Sequence, residues 1–102
     1  MILVNITFAV TTETEHLFIS WVKETFMDNA VNTGGFELPL LCKIISADNE
    51  YAISYALQMR HSSDEEAHEW YERGDGALLL KKLMQKFGDK ILWFITFMEI
   101  IE

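Results

Sequence analysis

Large apolar and smaller or polar side chains alternate from the first residues. Ile2, Val4, Ile6, Phe8 and Val10 interleave with Leu3, Asn5, Thr7 and Ala9, a period of two that predicts a strand with one buried face. The period then lengthens. Thr12 followed by Glu15 has the spacing of a capping box, and Leu17, Trp21, Val22, Phe26 and Ala30 recur at helical intervals, with Phe18, Ile19 and Met27 widening the apolar surface. The helix is expected to run to about Val31 and to stop at Gly34-Gly35, because glycine accepts the left-handed conformation of a helix end. Phe36 to Ser46 and Tyr51 to Arg60 read as two strands joined by the short polar stretch Ala47 to Glu50, a hairpin. Pro39 donates no ladder hydrogen bond and assigns the first of these strands to a sheet edge.

A second capping box, Ser63 with Glu66, opens the next helix, and Asp64 to Glu66 put negative charge at its positive end. Gly74-Asp75-Gly76 is expected to break it. A second piece resumes at Ala77 with Leu79, Leu80, Leu83, Met84 and Phe87 on one face, and Gly88-Asp89 ends it. Lys90 to Ile101 is the last strand. Nine of the eleven residues from Ile91 to Ile101 are apolar, so both of its faces are hydrophobic.

The order strand, helix, strand, strand, helix, strand predicts an α+β fold of the ferredoxin-like βαββαβ type. It would have a four-stranded antiparallel sheet of order 4-1-3-2 with both helices on one face, in a single domain spanning 1–102. Such a layer leaves its second sheet face uncovered. The apolar last strand, at an edge, would also invite pairing unless something covers it. The cheapest cover is a second copy, so a homodimer is expected, with Leu92, Phe94, Ile95 and Met98 as its interface candidates.

Composition narrows the function. The formal net charge of −8, with only eight Lys and Arg, lacks the basic footprint of a nucleic-acid binder and disfavours an anionic membrane surface. The longest apolar stretch is too short to span a bilayer, and the first residues lack the basic start of a signal peptide. A cytoplasmic protein is expected. The single cysteine, Cys42, allows no internal disulfide and shares a strand phase with Leu38, Leu40 and Ile44, which suggests a buried small hydrophobe. No nucleotide-binding loop or nucleophile elbow is present, and no cofactor is expected.

The semi-polar strand face is the best candidate for a small-molecule site. Asn5 and Thr7, Ser54 and Gln58, and Thr96 come from strands adjacent in the expected order, so their side chains can converge. The same residues can instead satisfy one another within an interface. Trp70 and Tyr71, just before the glycine break, are candidates for stacking a ligand at a gate, or for core anchors. His61, Asp64 and His68 have the residue types of a zinc site, but their spacing matches no metal motif, and a solvated acidic helix start accounts for them better.

Tyr51-Ala52-Ile53-Ser54-Tyr55, Trp70-Tyr71, Phe87-Gly88-Asp89-Lys90 and Phe94-Ile95-Thr96-Phe97-Met98-Glu99, with the Gly35-Phe36 strand entry, occur in this order. In that pattern the chain resembles an uncharacterised family of short bacterial proteins, a domain of unknown function. The family is similar to the dimeric α+β barrel superfamily, in which two ferredoxin-like sheets pack face to face. That superfamily includes cofactor-independent monooxygenases and ligand-sensing modules. The resemblance implies a homodimer that binds a small ligand, or alternatively a cofactor-independent, monooxygenase-like enzyme working between sheet and helices. An arginine common before the threonine of the last strand is replaced here by Ile95, so no catalytic residue carries over.

Overall fold

The computed structural model describes residues 1–34, 39–45 and 52–101. Strand β1 (Ile2–Thr11) leads into a helical rod. The rod begins as a 3-10 turn at Thr12–Thr14 and continues as α1 (Glu15–Trp21), a π-helical segment at Val22–Met27 and α2 (Asp28–Gly34). Then follow β2 (Leu40–Lys43), β3 (Ala52–His61), α3 (Asp64–Glu72), α4 (Asp75–Phe87), a 3-10 turn at Gly88–Lys90 and β4 (Ile91–Glu99). The strands form one antiparallel sheet in the order β2-β3-β1-β4, the expected order read from the other edge. The expected turn at 47–50, the strand start at 36–38 and the Gly35 stop lie outside the described residues.

The sheet phase follows the sequence alternation. Val4, Ile6, Phe8 and Val10 are fully buried against the helices, with Tyr55, Leu57 and Met59 beside them on β3. Burying each such side chain contributes about 1.5–3 kcal/mol. Helix contacts come from Phe18, Val22, Phe26 and Ala30, all fully buried. These recur every four residues, and in an ideal helix of 3.6 residues per turn each such step overshoots by about 40°. The π-helical segment at Val22–Met27 takes up extra residues in its turns and keeps this stripe facing the sheet. The stripe excludes Leu17, which was expected on the buried face but is 63% exposed.

Three local expectations are corrected. Thr12 does not cap the first helix. It sits inside the 3-10 turn, Thr11 and Thr14 pair their hydroxyls at 2.6 Å, and the Glu15 carboxylate turns away to accept a hydrogen bond from the Tyr55 hydroxyl. The second box is half formed. The Glu66 N–H donates to Ser63 Oγ at 3.2 Å, but the Glu66 carboxylate accepts from Ser62. The second helix does break near Gly74, yet α4 resumes at Asp75, two residues early, and Met84 lies half out of the core. There the Trp93 indole N–H donates to Met84 Sδ at 3.2 Å. Gly88, with φ of 58° and ψ of −132°, takes a positive-φ conformation open to glycine and ends α4.

Candidate functional site

The uncovered sheet face is built by alternate residues of all four strands. Cross-strand register sets its rows. Asn5 is opposite Gln58 on β3 and Thr96 on β4, and Gln58 is opposite Leu40 on β2, so one row crosses the whole sheet. The next row holds Thr7 with Ala56, Phe94 and Cys42, and the one after it Ala9 with Ser54 and Leu92. Within this face the Gln58 amide N–H donates to Asn5 Oδ1 at 3.2 Å, and the Asn5 amide N–H donates to Thr7 Oγ1 at 2.8 Å. The result is a hydrogen-bonded line running across and then along the two central strands. It leaves the Gln58 carbonyl oxygen, the Thr7 hydroxyl proton and the remaining amide protons for further partners.

Side-chain size varies systematically across this face. The central strands β1 and β3 carry Thr7, Ala9, Ser54 and Ala56, while the edge strands carry Leu92 and Phe94 on one side and Leu40 on the other. Those large residues stand exposed, Leu92 at 71%, Phe94 at 60% and Leu40 at 56%. The face is therefore a trough with a small, semi-polar floor and apolar walls. Charge is scarce on it. Among its described residues Arg60, in the end row with Leu3 and Met98, is the only charged side chain. Arg60 shares the strand phase of Gln58 and was readable from the sequence by that alternation alone.

The predicted residues fall into two groups. Asn5, Thr7, Ser54, Gln58 and Thr96 all lie on the trough side, as do Leu92, Phe94 and Met98. Ile95 does not. It faces the helices beside Ile6 and packs against the core, because period two places it opposite in direction to Phe94. Trp70 and Tyr71 belong to α3 and are buried on the helix side of the sheet, so they do not meet the trough. The Trp70 ring stands edge-on to Phe26, with centroids 6.0 Å apart, and to Tyr71 at 4.8 Å. Cys42, expected to be buried, is exposed on the trough side.

The histidines separate as well. His61 turns inward from the end of β3 and is 4% exposed, with its Nε2 3.0 Å from the Tyr71 hydroxyl, which also donates to Met59 Sδ at 3.7 Å. His68 is half-buried on the flank of α3, stacked on Phe97 of β4 at 4.0 Å and flanked by Asp64 and Glu72 at 3.1 and 3.0 Å. His61, Asp64 and His68 therefore do not converge. Burial pushes the His61 pKa down to about 4, with Glu66 opposing weakly, and burial also raises that of Tyr71. Near the start of α1, burial and the Glu15 hydrogen bond push Tyr55 up to about 12. That bond also lowers the Glu15 pKa, with Lys43 3.5 Å away adding to the effect.

Folded His61 resists protonation while the unfolded chain takes up the proton near pH 6.5, so acid favours unfolding. The contribution of neutral His61 is complete above about pH 6.5 and is expected to fade as pH falls towards 4, by about 2–3 kcal/mol in total. Urea midpoints measured from pH 7.5 to 4.5 should show this loss, and His61→Gln should flatten it. An unchanged slope in that variant would assign the acid lability to other groups.

The fold and its exposed sheet define a ferredoxin-like α+β domain. The sequence matches a domain of unknown function, DUF4286, over residues 1–101, and the protein belongs to that family. No curated protein matches the sequence. Among solved structures it is similar to a Deinococcus radiodurans protein provisionally assigned as an antibiotic biosynthesis monooxygenase. The identity there is 13% and the TM-score 0.75, covering 100% of this chain and 94% of that one. A dimeric ferredoxin-like protein from an uncultured marine organism matches at 19% identity and TM-score 0.57, with both chains covered in full. The de novo designed protein Foldit4 matches at 15% identity and TM-score 0.61, covering 98% of each chain. A designed chain alongside a natural one shows that this likeness speaks for the fold and carries no activity.

Proposed function

We propose that this protein is a cytoplasmic homodimer that binds a small molecule, with the trough side of the sheet as its working surface and a second copy as its cover. The observation that carries the reading is that, among the described residues of this face, Arg60 is the only charged side chain, in a chain of net charge −8. Depletion of charge with exposed aromatic and aliphatic anchors is the composition of an interface core. Two copies can meet here without juxtaposing their acidic surfaces. A four-stranded face of this length offers roughly 500 Å² in projection, and more as accessible surface, against the ~800 Å² per partner of a standard interface. A structural neighbour of this fold is itself described as dimeric, which supports assembly in pairs.

Binding is favoured over catalysis by where the space is taken up. The layer between sheet and helices, where an enzyme of the alternative type would work, is filled by Phe8, Phe18, Phe26 and Tyr71. The amides and hydroxyls of Asn5, Thr7, Ser54, Gln58 and Thr96 can hold a ligand but supply no acid or base near neutrality. Among the described residues no helix is long and apolar enough to cross a membrane.

Cys42 reports directly on the cover, since it lies in the row of Thr7 and Phe94 and is exposed in the single chain. Its reaction with a thiol reagent is expected to slow at least tenfold as protein concentration rises through the dimerisation range, in step with doubling of the light-scattering mass. A one-chain mass at micromolar concentration, with Cys42 freely reactive throughout, would overturn the dimer. Native mass spectrometry of freshly purified protein tests for the bound molecule.

A further inference from the structure

We infer that the dimer encloses one chamber between its two sheets, shared by both copies, which takes a single uncharged, flat ligand bearing a carbonyl or hydroxyl group. The inference rests on the homodimer reading and extends it to the site. Sheets stacked face to face stand about 10 Å apart when ordinary side chains fill the gap. Here the walls are ordinary or large, namely Leu40, Leu92, Phe94 and Met98, and they set the spacing. The floor is not. Thr7, Ala9, Ser54 and Ala56 are too short to reach halfway, and the two-fold partner brings the same short residues opposite. Neither copy forms a closed site alone, because each supplies only one floor and half the walls.

The lining sets the ligand class. Gln58 donates to Asn5 and Asn5 to Thr7, so the amides are fixed in orientation and still hold free donors and an acceptor. A carbonyl or hydroxyl placed here gains hydrogen bonds, whereas an ionised group would be desolvated without a counter-charge. Among the described residues Arg60 is the only cation on the face, and its row, with Leu3 and Met98, is two residues along the strands from that of Asn5. It stands at the mouth of the chamber. A flat body suits the narrow gap between floors.

Nile red, an uncharged planar dye with one carbonyl group, is a suitable probe. Its fluorescence is expected to saturate at one dye per two chains. The anionic dye anilinonaphthalene sulfonate should bind at least tenfold more weakly. Ala56→Leu fills the floor and should lower Nile red affinity at least tenfold while light scattering still gives a dimer. Ala9→Leu serves the same purpose if the first variant misfolds. Failure of Nile red to bind a confirmed wild-type dimer, one dye per chain, undiminished binding to a filled dimer, or a preference for the anion would each overturn the chamber as described. A wild-type mass of one chain would instead sink the dimer reading beneath it.

Discussion

Replacing Phe94 by Asp is expected to turn the proposed dimer into a monomer at micromolar concentration, weakening association by at least a thousandfold. Phe94 projects from the middle of β4 on the trough side, beside Thr7, and is largely exposed in the single chain, so the monomer loses little by the change. In a two-fold interface each substitution occurs twice. Removing a central aromatic anchor costs about 2 kcal/mol or more per copy, and an unpaired carboxylate buried in its place costs further. Light scattering reads the mass, and Cys42 should become freely reactive at all concentrations. Ile95→Asp is the contrasting variant. Ile95 points into the helix side of the sheet, so its replacement should lower the unfolding midpoint of each chain through the core. A Phe94→Asp protein that remained dimeric would place the interface elsewhere.

That contrast shows where the sequence was readable and where it was not. In β1 the large residues beyond Leu3 all fall on one phase, so Val4, Ile6, Phe8 and Val10 mark the core side, and Asn5 and Thr7 the open side. In β4 both phases are apolar, because one faces helices and the other the trough. Alternation of composition then vanishes, and Ile95 could not be separated from Phe94 without the register to β1. Cys42 was misplaced for a related reason: strand phase shows which residues share a side, but not whether that side is covered within one chain.

The helical region was legible in outline and not in detail. Its apolar excess marked the rod, but Leu17 and Phe18 are both apolar, and only the four-residue repeat carried by the π-helical segment selects Phe18 for the core. Glu15 had the spacing of a capping partner. A tertiary hydrogen bond from Tyr55, forty residues away, and the charge of Lys43 outcompete that local bond. His61 and Tyr71 likewise meet only because the end of β3 lies beneath α3. Contacts of this kind have no periodic signature, whereas the strand order followed from period and turn chemistry alone.

Gly76 is where local and tertiary preferences oppose each other most sharply, and its substitution is the second large effect. By helix propensity Gly76→Ala, in the first turn of α4, should stabilise the protein by up to about 1 kcal/mol. The structure reverses the sign. A Cβ added at Gly76 would lie 2.4 and 2.6 Å from Cε3 and Cζ3 of the Trp70 ring and 2.8 Å from the Trp70 carbonyl oxygen. The ring cannot swing freely, because it is packed edge-on against Phe26 and Tyr71, and the carbonyl belongs to the backbone of α3. Relief therefore requires α3 and α4 to separate. Overpacking of this kind costs about 1–3 kcal/mol, so Gly76→Ala is expected to lower stability by about 2 kcal/mol, and Gly76→Val by more. Urea unfolding measures the loss, and near-ultraviolet circular dichroism should report the displaced indole. A Gly76→Ala protein as stable as wild type would show that the α3–α4 junction yields to the methyl group, and that glycine stands there for a reason other than the close approach of Trp70.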